Sequence, residues 1–262
     1  MFRDPRGFGD NENMSRSATQ KFIEIYRQTR NRHQLLKKAS RLEPDLKRQI
    51  HQQHVADWAK SVLDIMGVSV NRRGAAITQE PCLFVGNHVS YIDIPLLVAV
   101  APVVFVGKRE LGNWPIFGSA MKSLGTVLVN REQSDSRRKA GLEIARTVTK
   151  ESQSVALFPS GTTTIEESKA WKWGAFQIAA RYKIPIQPFV LHYKPVRECA
   201  YIDQDFFPTH LYRLMKFKEI QAYLEFHEPV VVDNPRRDCA YWQDWTRDKV
   251  REYLRDFQYP VG

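Results

Sequence analysis

The chain is poor in cysteine, with Cys82, Cys199 and Cys239 spread over 262 residues. Odd in number and far apart, they make neither a disulfide framework nor paired metal ligands, and a reducing compartment fits them. Long apolar runs are also missing. The longest, Ile94 to Gly107, covers 14 residues and contains Pro95 and Pro102. It is too short for a spanning helix and reads as a core helix followed by a strand. The opening MFRDPRGFGDNENMS has no apolar centre of the signal-peptide kind, so secretion is not expected. Negative charge is scarce as well: 29 Asp and Glu stand against 39 Lys and Arg, a net charge of +10 at pH 7. That balance calls for an acidic partner, whether anionic lipid, acidic carrier protein, phosphorylated substrate or nucleic acid. No nucleic-acid-binding motif accompanies the charge, so no nucleic acid is expected.

What is present is a core-forming sequence, 43% hydrophobic, long enough for one large domain with a helical appendage. Residues 1–14 are rich in Gly, Asp, Asn and Arg without periodicity and are expected to be disordered. Residues 15–66 form a basic helical arm. Phe22, Ile25, Tyr26, Val55, Trp58, Ala59, Val62, Leu63 and Met66 recur at helical spacing, and Pro44 divides the arm into two or three helices. From Ser15 to Lys60, 11 Lys and Arg face 4 Asp and Glu, a surplus of 7. The arm is either a solvated basic face or a dock for an anionic membrane surface.

Residues 67–262 alternate strand, loop and helix. Strands are predicted at Val68 to Arg73, Leu83 to Val85, Val103 to Val106, Thr126 to Val129, Val155 to Phe158, Ile184 to His192, Ile220 to Phe226 and Val230 to Val232. Helices are predicted after Asp93, from Trp114 to Ser123, from Ser136 to Ser152 with Leu142, Ala145 and Val148 inward, from Trp171 to Tyr182, near Leu211 and from Tyr241 to Phe257. The rhythm implies an α/β fold, a largely parallel sheet flanked by helices.

Polar clusters follow three of these strands: His88 to Asp93, Asn130-Arg131, and Ser160 to Thr164. In a parallel sheet such ends lie on one side and can converge. His88 is a residue type that titrates near neutral pH, and Asp93 could orient it. Arg131 supplies a fixed cation. The Ser160-Gly161-Thr162 turn offers aimed N–H and hydroxyl groups that can cradle a phosphate or oxyanion. Taken singly, His88 and Asp93 read equally as a turn cap and a helix cap.

Asn-His-x-Ser-x-x-Asp, Asn87 to Asp93, resembles the first motif of the glycerolipid acyltransferases, the family of lysophosphatidic acid (1-acyl-sn-glycerol-3-phosphate) acyltransferase. Gly107 to Leu111, with Pro115, Phe117 and Gly118, resembles the segment that follows it. Gly125 to Arg131 is similar to the second motif, Phe158 to Thr162 to the third and Ile184 to Pro188 to the fourth. The match covers about half the chain, from Trp58 to Val190. The resemblance implies transfer of a fatty acyl group from acyl-CoA or acyl carrier protein to a lysophospholipid hydroxyl, with 1-acylglycerol 3-phosphate giving phosphatidate as the leading reaction. His88 would be the general base and Asp93 its partner; Arg131, Ser160, Gly161 and Thr162 would bind the acceptor. Neither a metal nor another cofactor is implied.

Two departures stand out. The family's third motif usually carries Glu where this chain has Ser160, and often Arg where it has Thr163, which opens the choice of acceptor to glycerol 3-phosphate or another lysolipid. Many relatives also begin with a membrane-spanning segment. Here the basic arm would serve instead, leaving the protein cytoplasmic and peripheral on the inner face of a membrane. Phe206-Phe207 is expected to pack in the core rather than meet lipid. A non-catalytic lipid or acyl-carrier binder is the competing class. A serine hydrolase built on Ser160 lacks the Gly-x-Ser-x-Gly elbow.

Overall fold

The computed structural model describes residues 16–39, 43–108, 127–129 and 134–260. Residues 1–14, the helix expected from Trp114 to Ser123, and Asn130-Arg131 lie outside the described residues.

Local signals explain the arm. Helix α1 (Ala18–Ala39) is opened by a capping box in which Ser17 Oγ accepts the Gln20 N–H and Gln20 Oε1 accepts the Ser17 N–H. Helix α2 (Pro44–Met66) carries proline at its first turn and ends on Gly67, whose φ of 77° gives the left-handed cap that favours glycine. Val55, Ala59, Val62, Leu63 and Met66 form one buried stripe. That stripe packs on the helix that follows the first motif.

The sheet has seven strands in the order β1-β7-β6-β2-β5-β3-β4 among the described residues. They are β1 (Val68–Gly74), β2 (Leu83–Gly86), β3 (Val103–Lys108), β4 (Val127–Val129), β5 (Ser154–Leu157), β6 (Ile186–Lys194) and β7 (Ile220–Phe226). All neighbours pair parallel except β6 and β7, so β1 and β7 run against the other five. Alternation along the strands feeds two cores. Phe84, Phe105 and Ala156 face the side covered by α2, α3 (Asp93–Val100) and α7 (Phe207–Met215). Leu83, Val85, Val104 and Val155 face α4 (Ser134–Thr149), α5 (Gly174–Tyr182) and the start of the last helix, α8 (Pro235–Asp256). A one-turn helix, α6 (Val196–Cys199), links β6 to α7.

Some expected details are corrected. Leu142 is 49% exposed, and the buried stripe of α4 is Ile144, Ala145 and Val148. At about 100° per residue, Leu142 falls outside the arc centred on those three. Val230 to Val232 forms no strand; Val230 makes a lone bridge to Ile186, and Val231 is exposed. Helix α8 begins six residues before the expected Tyr241, at Pro235, because Asn234 Oδ1 caps the Arg237 N–H and Asp238 favours the first turn.

Candidate active site

Strand β2 delivers the first motif. It is fully buried between β5 and β6, and the chain leaves β2 for β3 on one side but leaves β5 for β6 on the other, which makes the C-terminal end of β2 a switch point of the sheet. A Cβ on Gly86 would sit 2.3 Å from the Phe189 carbonyl oxygen, so only glycine fits. Asn87 then continues the pairing with its side chain: Nδ2 donates to the Leu191 carbonyl at 2.8 Å, and Oδ1 accepts the Leu191 N–H at 2.9 Å. With the ladder closed by an amide side chain, the main chain is free to turn at His88.

His88 and Asp93 come together. Nδ1 of His88 lies 2.6 Å from Asp93 Oδ2. The same oxygen accepts the N–H groups of Val89 at 2.7 Å and Ser90 at 3.0 Å. Asp93 is fully buried, and its other oxygen accepts the Tyr193 hydroxyl at 2.7 Å. A carboxylate facing Nδ1 favours the tautomer with the proton on Nδ1, which leaves Nε2 as the basic nitrogen. The imidazole stacks on Phe158, ring centroids 4.0 Å apart and planes 10° apart, and keeps 20% of its side-chain surface exposed. It is both held and reachable.

The third motif is stitched to the first. Thr164 N–H donates to the His88 carbonyl at 2.8 Å, and Gly161, at φ 71°, turns the chain after Phe158. Ser160 is buried and spends its hydroxyl inside this turn, donating to the Thr162 carbonyl at 2.9 Å. Thr162 is exposed, and the Thr163 hydroxyl donates to the Tyr201 carbonyl. Of the residues expected to form the site, His88, Asp93, Ser160, Gly161 and Thr162 therefore belong to linked segments. Arg131 lies outside the described residues.

Several residues at the site carry no local sequence signal. Tyr193 follows the fourth motif, and its contact with Asp93 spans a hundred positions. Glu167 is fully buried at φ 51°, with Oε1 accepting the Trp171 indole N–H at 2.7 Å. Burial pushes its carboxyl up to about 7, against the smaller favourable effects of Trp171, Arg247, Thr164 and the His88 amide. Tyr91, inside the first motif, lies 3.0 Å from Nδ1 of buried His210, whose Nε2 is 2.9 Å from the Ala200 carbonyl. The carbonyl can only accept, so Nε2 donates to it and Nδ1 accepts the Tyr91 hydroxyl. Burial lowers the His210 pKa and favours this neutral form. Tyr91 also packs edge-on against Phe207 at 5.0 Å, which ties α7 to the motif loop.

Comparisons with known proteins give the family and the fold. A family model described as Acyltransferase matches residues 67–192. The chain is 32% identical over 181 residues to the lyso-ornithine lipid O-acyltransferase of Pseudomonas aeruginosa, covering 66% of this chain and 68% of that protein. It is 28% identical over 203 residues to the 1-acyl-sn-glycerol-3-phosphate acyltransferase of Neisseria gonorrhoeae, covering 75% of this chain and 76% of that one. The crystal structure of the 1-acyl-sn-glycerophosphate acyltransferase of Thermotoga maritima shares the fold, with a TM-score of 0.66, 16% identity, and coverage of 90% of this chain and 97% of that one.

Glu167 gives a stability signature. Its folded pKa of about 7 lies above the ordinary 4.5, so the folded state binds the extra proton between these values. Stability should therefore fall as pH rises from about 4.5 to about 7 through this group, then level off. Chemical denaturation across that range should show the slope in the wild type and a flatter line in Glu167→Gln. An equal slope in both proteins would remove Glu167 as its source.

Proposed function

This chain belongs to the Acyltransferase family and is an O-acyltransferase that acts on lysolipids, and from that premise we propose that His88 is the general base. The donor is a fatty acyl thioester, acyl-CoA or acyl carrier protein. The acceptor hydroxyl gives its proton to Nε2 of His88 while its oxygen attacks the thioester carbonyl carbon. The tetrahedral intermediate then collapses, and the departing thiolate recovers the proton from the imidazolium. Asp93 stabilises that imidazolium through Nδ1. The observation that carries this reading is the 2.6 Å contact of a part-exposed histidine with a fully buried carboxylate at the end of β2.

The acceptor's head group falls to Arg131 and the turn at Ser160, Gly161 and Thr162. A guanidinium pairs bidentately with a phosphate, as in 1-acylglycerol 3-phosphate, or with a carboxylate, as in a lyso-ornithine lipid. Two observations favour the second acceptor. Ser160 stands where the family usually has Glu, and its hydroxyl is committed to the Thr162 carbonyl. The relative that is 32% identical is named for lyso-ornithine lipid.

The site is proposed to work at an anionic membrane surface. No helix among the described residues is long and apolar enough to cross a bilayer. Helix α1 leaves Phe22, Ile23 and Tyr26 at 41%, 58% and 44% exposure, and Phe206, just before α7, and Tyr212, on it, reach 67% and 49%. The two helices are joined where Lys21 Nζ donates to the Phe217 carbonyl at 3.0 Å. Phe207 packs against Tyr91 as expected, whereas Phe206 does not pack, because it precedes the helix and points away from the core. Aromatic and aliphatic groups fringed by lysine and arginine suit an interfacial dock.

His88→Ala should retain the fold and lose about 10²–10⁴ in transfer rate, followed by release of free CoA. Retention of more than a tenth of the activity would remove His88 as the base.

Acceptor choice is tested with a panel of lyso-ornithine lipid, 1-acylglycerol 3-phosphate and glycerol 3-phosphate, with products identified by mass spectrometry. Lyso-ornithine lipid should lead for the wild type, and Ser160→Glu should narrow the range. The same rank order in both proteins would show that position 160 does not select the acceptor.

Vesicle flotation reads the membrane proposal. Binding to anionic vesicles should weaken as salt rises, since exposed charges are screened over about 8–10 Å. Replacing Phe22, Ile23 and Phe206 together by Ser should reduce flotation severalfold. Salt-independent binding, or an unchanged triple variant, would return these residues to solvent.

A further inference from the structure

We propose that Tyr193 is a positioning residue for the acyl transfer, acting through Asp93 to set how strongly His88 holds its proton. The inference rests on the assignment of His88 as base and goes beyond it, because Tyr193 lies outside every motif and touches no part of the site that a substrate can reach.

The geometry is asymmetric. Asp93 Oδ2 faces the motif loop, taking His88 Nδ1 at 2.6 Å and the N–H groups of Val89 and Ser90. Oδ1 faces the interior, where the Tyr193 hydroxyl donates at 2.7 Å. Both side chains are fully buried. The phenol is carried by β6, whose backbone pairs with Ala222 of β7 at this position and with β2 up to Phe189, four residues upstream. It is therefore a rigid donor aimed at the one carboxylate oxygen the loop does not use. Burial and the neighbouring carboxylate hold the phenol well above its ordinary pKa, so it stays a donor over the working range.

A donor on Oδ1 does two things. It fixes rotation of the carboxylate, so that Oδ2 stays in line with Nδ1. It also draws charge from the carboxylate, which weakens the pull on an imidazolium at His88. Removing it should let the dyad rotate, and should leave a more strongly proton-attracting partner beside His88. Among the described residues, the other ionisable groups around the pair include Cys199, His192 and Glu167. Cys199 is buried, with its thiol pushed up to about 12. His192 is buried, and its pKa is lowered by burial. Glu167 is near the His88 amide, and burial pushes its carboxyl up to about 7. Because burial moves the Glu167 carboxyl up to about 7, the pH profiles are compared in a Glu167→Gln background as well.

Two variants test this in the full chain with acyl-CoA and the best acceptor of the panel. Tyr193→Phe removes only the hydroxyl. It should lower kcat about tenfold, leave KM for donor and acceptor within about twofold, and move the acid limb of kcat/KM to higher pH. 3-Fluorotyrosine placed at position 193 is a more acidic, stronger donor and should move that limb to lower pH. In an Asp93→Asn background the Tyr193→Phe change should cost little further.

Opposite shifts of the limb support the proposal. Unchanged limbs, shifts in the same direction, or a full additional loss on top of Asp93→Asn overturn it. Should Tyr193→Phe fail to fold, the fluorotyrosine protein alone decides, a downward limb supporting the role and an unmoved limb refuting it. A His88→Ala protein that stays active would instead overturn the base assignment itself, which separates the two failures.

Discussion

A buried carboxylate is the constraint on which this site depends. Asp93 has no exposed surface, and leaving such a group without partners would cost several kcal/mol. The donors that prevent this come from two parts of the fold, three from the loop after β2 and one from β6. The Val89 and Ser90 amides require the tight turn before α3. The His88 imidazole requires that β2 end where it does, and the Tyr193 hydroxyl requires β6 in its observed register beside β2. Satisfying one aspartate therefore fixes the loop, the helix start and the adjacent strand together. The histidine is held as a by-product of that satisfaction.

Sheet topology explains why the motifs meet. Strands β5 and β6 flank β2 and run parallel to it, so their C-terminal ends lie at one edge. The Phe158 ring, just past β5, supplies the surface on which His88 stacks. Two main-chain links, from Thr164 to the His88 carbonyl and from Tyr201 to the Val89 carbonyl, close the arrangement. The reversed pair β1 and β7 extends the sheet away from the chemistry and gives α2 and α8 an apolar surface to cover.

Local signals made much of this legible in the sequence. The strand that leads into His88, the His88–Asp93 pairing, the break at Pro44 and the order of strand and helix all sit within short windows. There, spacing and turn residues decide the outcome. What was not legible is non-local or compositional noise. Tyr193 and Glu167 acquire their environments only after folding, since nothing near either residue in sequence marks it as a neighbour of the motif loop. Leu142 looked like a core residue because apolarity was counted without the exact phase of the helix. The Val230 to Val232 run has strand composition but meets only the short start of β6 ahead of its pairing with β7, which begins at Phe189, and it makes a single bridge there to Ile186. At Phe206-Phe207 one residue packs and its neighbour does not, a distinction set by where α7 begins.

The elements proposed to meet the bilayer are the ones packed directly on the motif. Helix α2 lies along α3, whose first residue is Asp93. Helix α1 touches α7, and α7 in turn offers His210 and Phe207 to Tyr91, three residues after His88. An acceptor lipid has an apolar tail that belongs in the membrane and a hydroxyl that must reach Nε2. A protein that kept its dock and its base on separate rigid parts would have to extract the lipid fully. Here helices α1 and α7, which carry the exposed aromatic groups, and the loop that holds His88 contribute to one hydrophobic cluster. Under the proposed function the tail stays near the interface while only the head and its hydroxyl approach His88. That arrangement lowers the apolar area that must be taken out of lipid for each turnover, at about 25 cal/mol per Å². It is a physical reason for a basic helical arm to be packed into the fold rather than tethered to it.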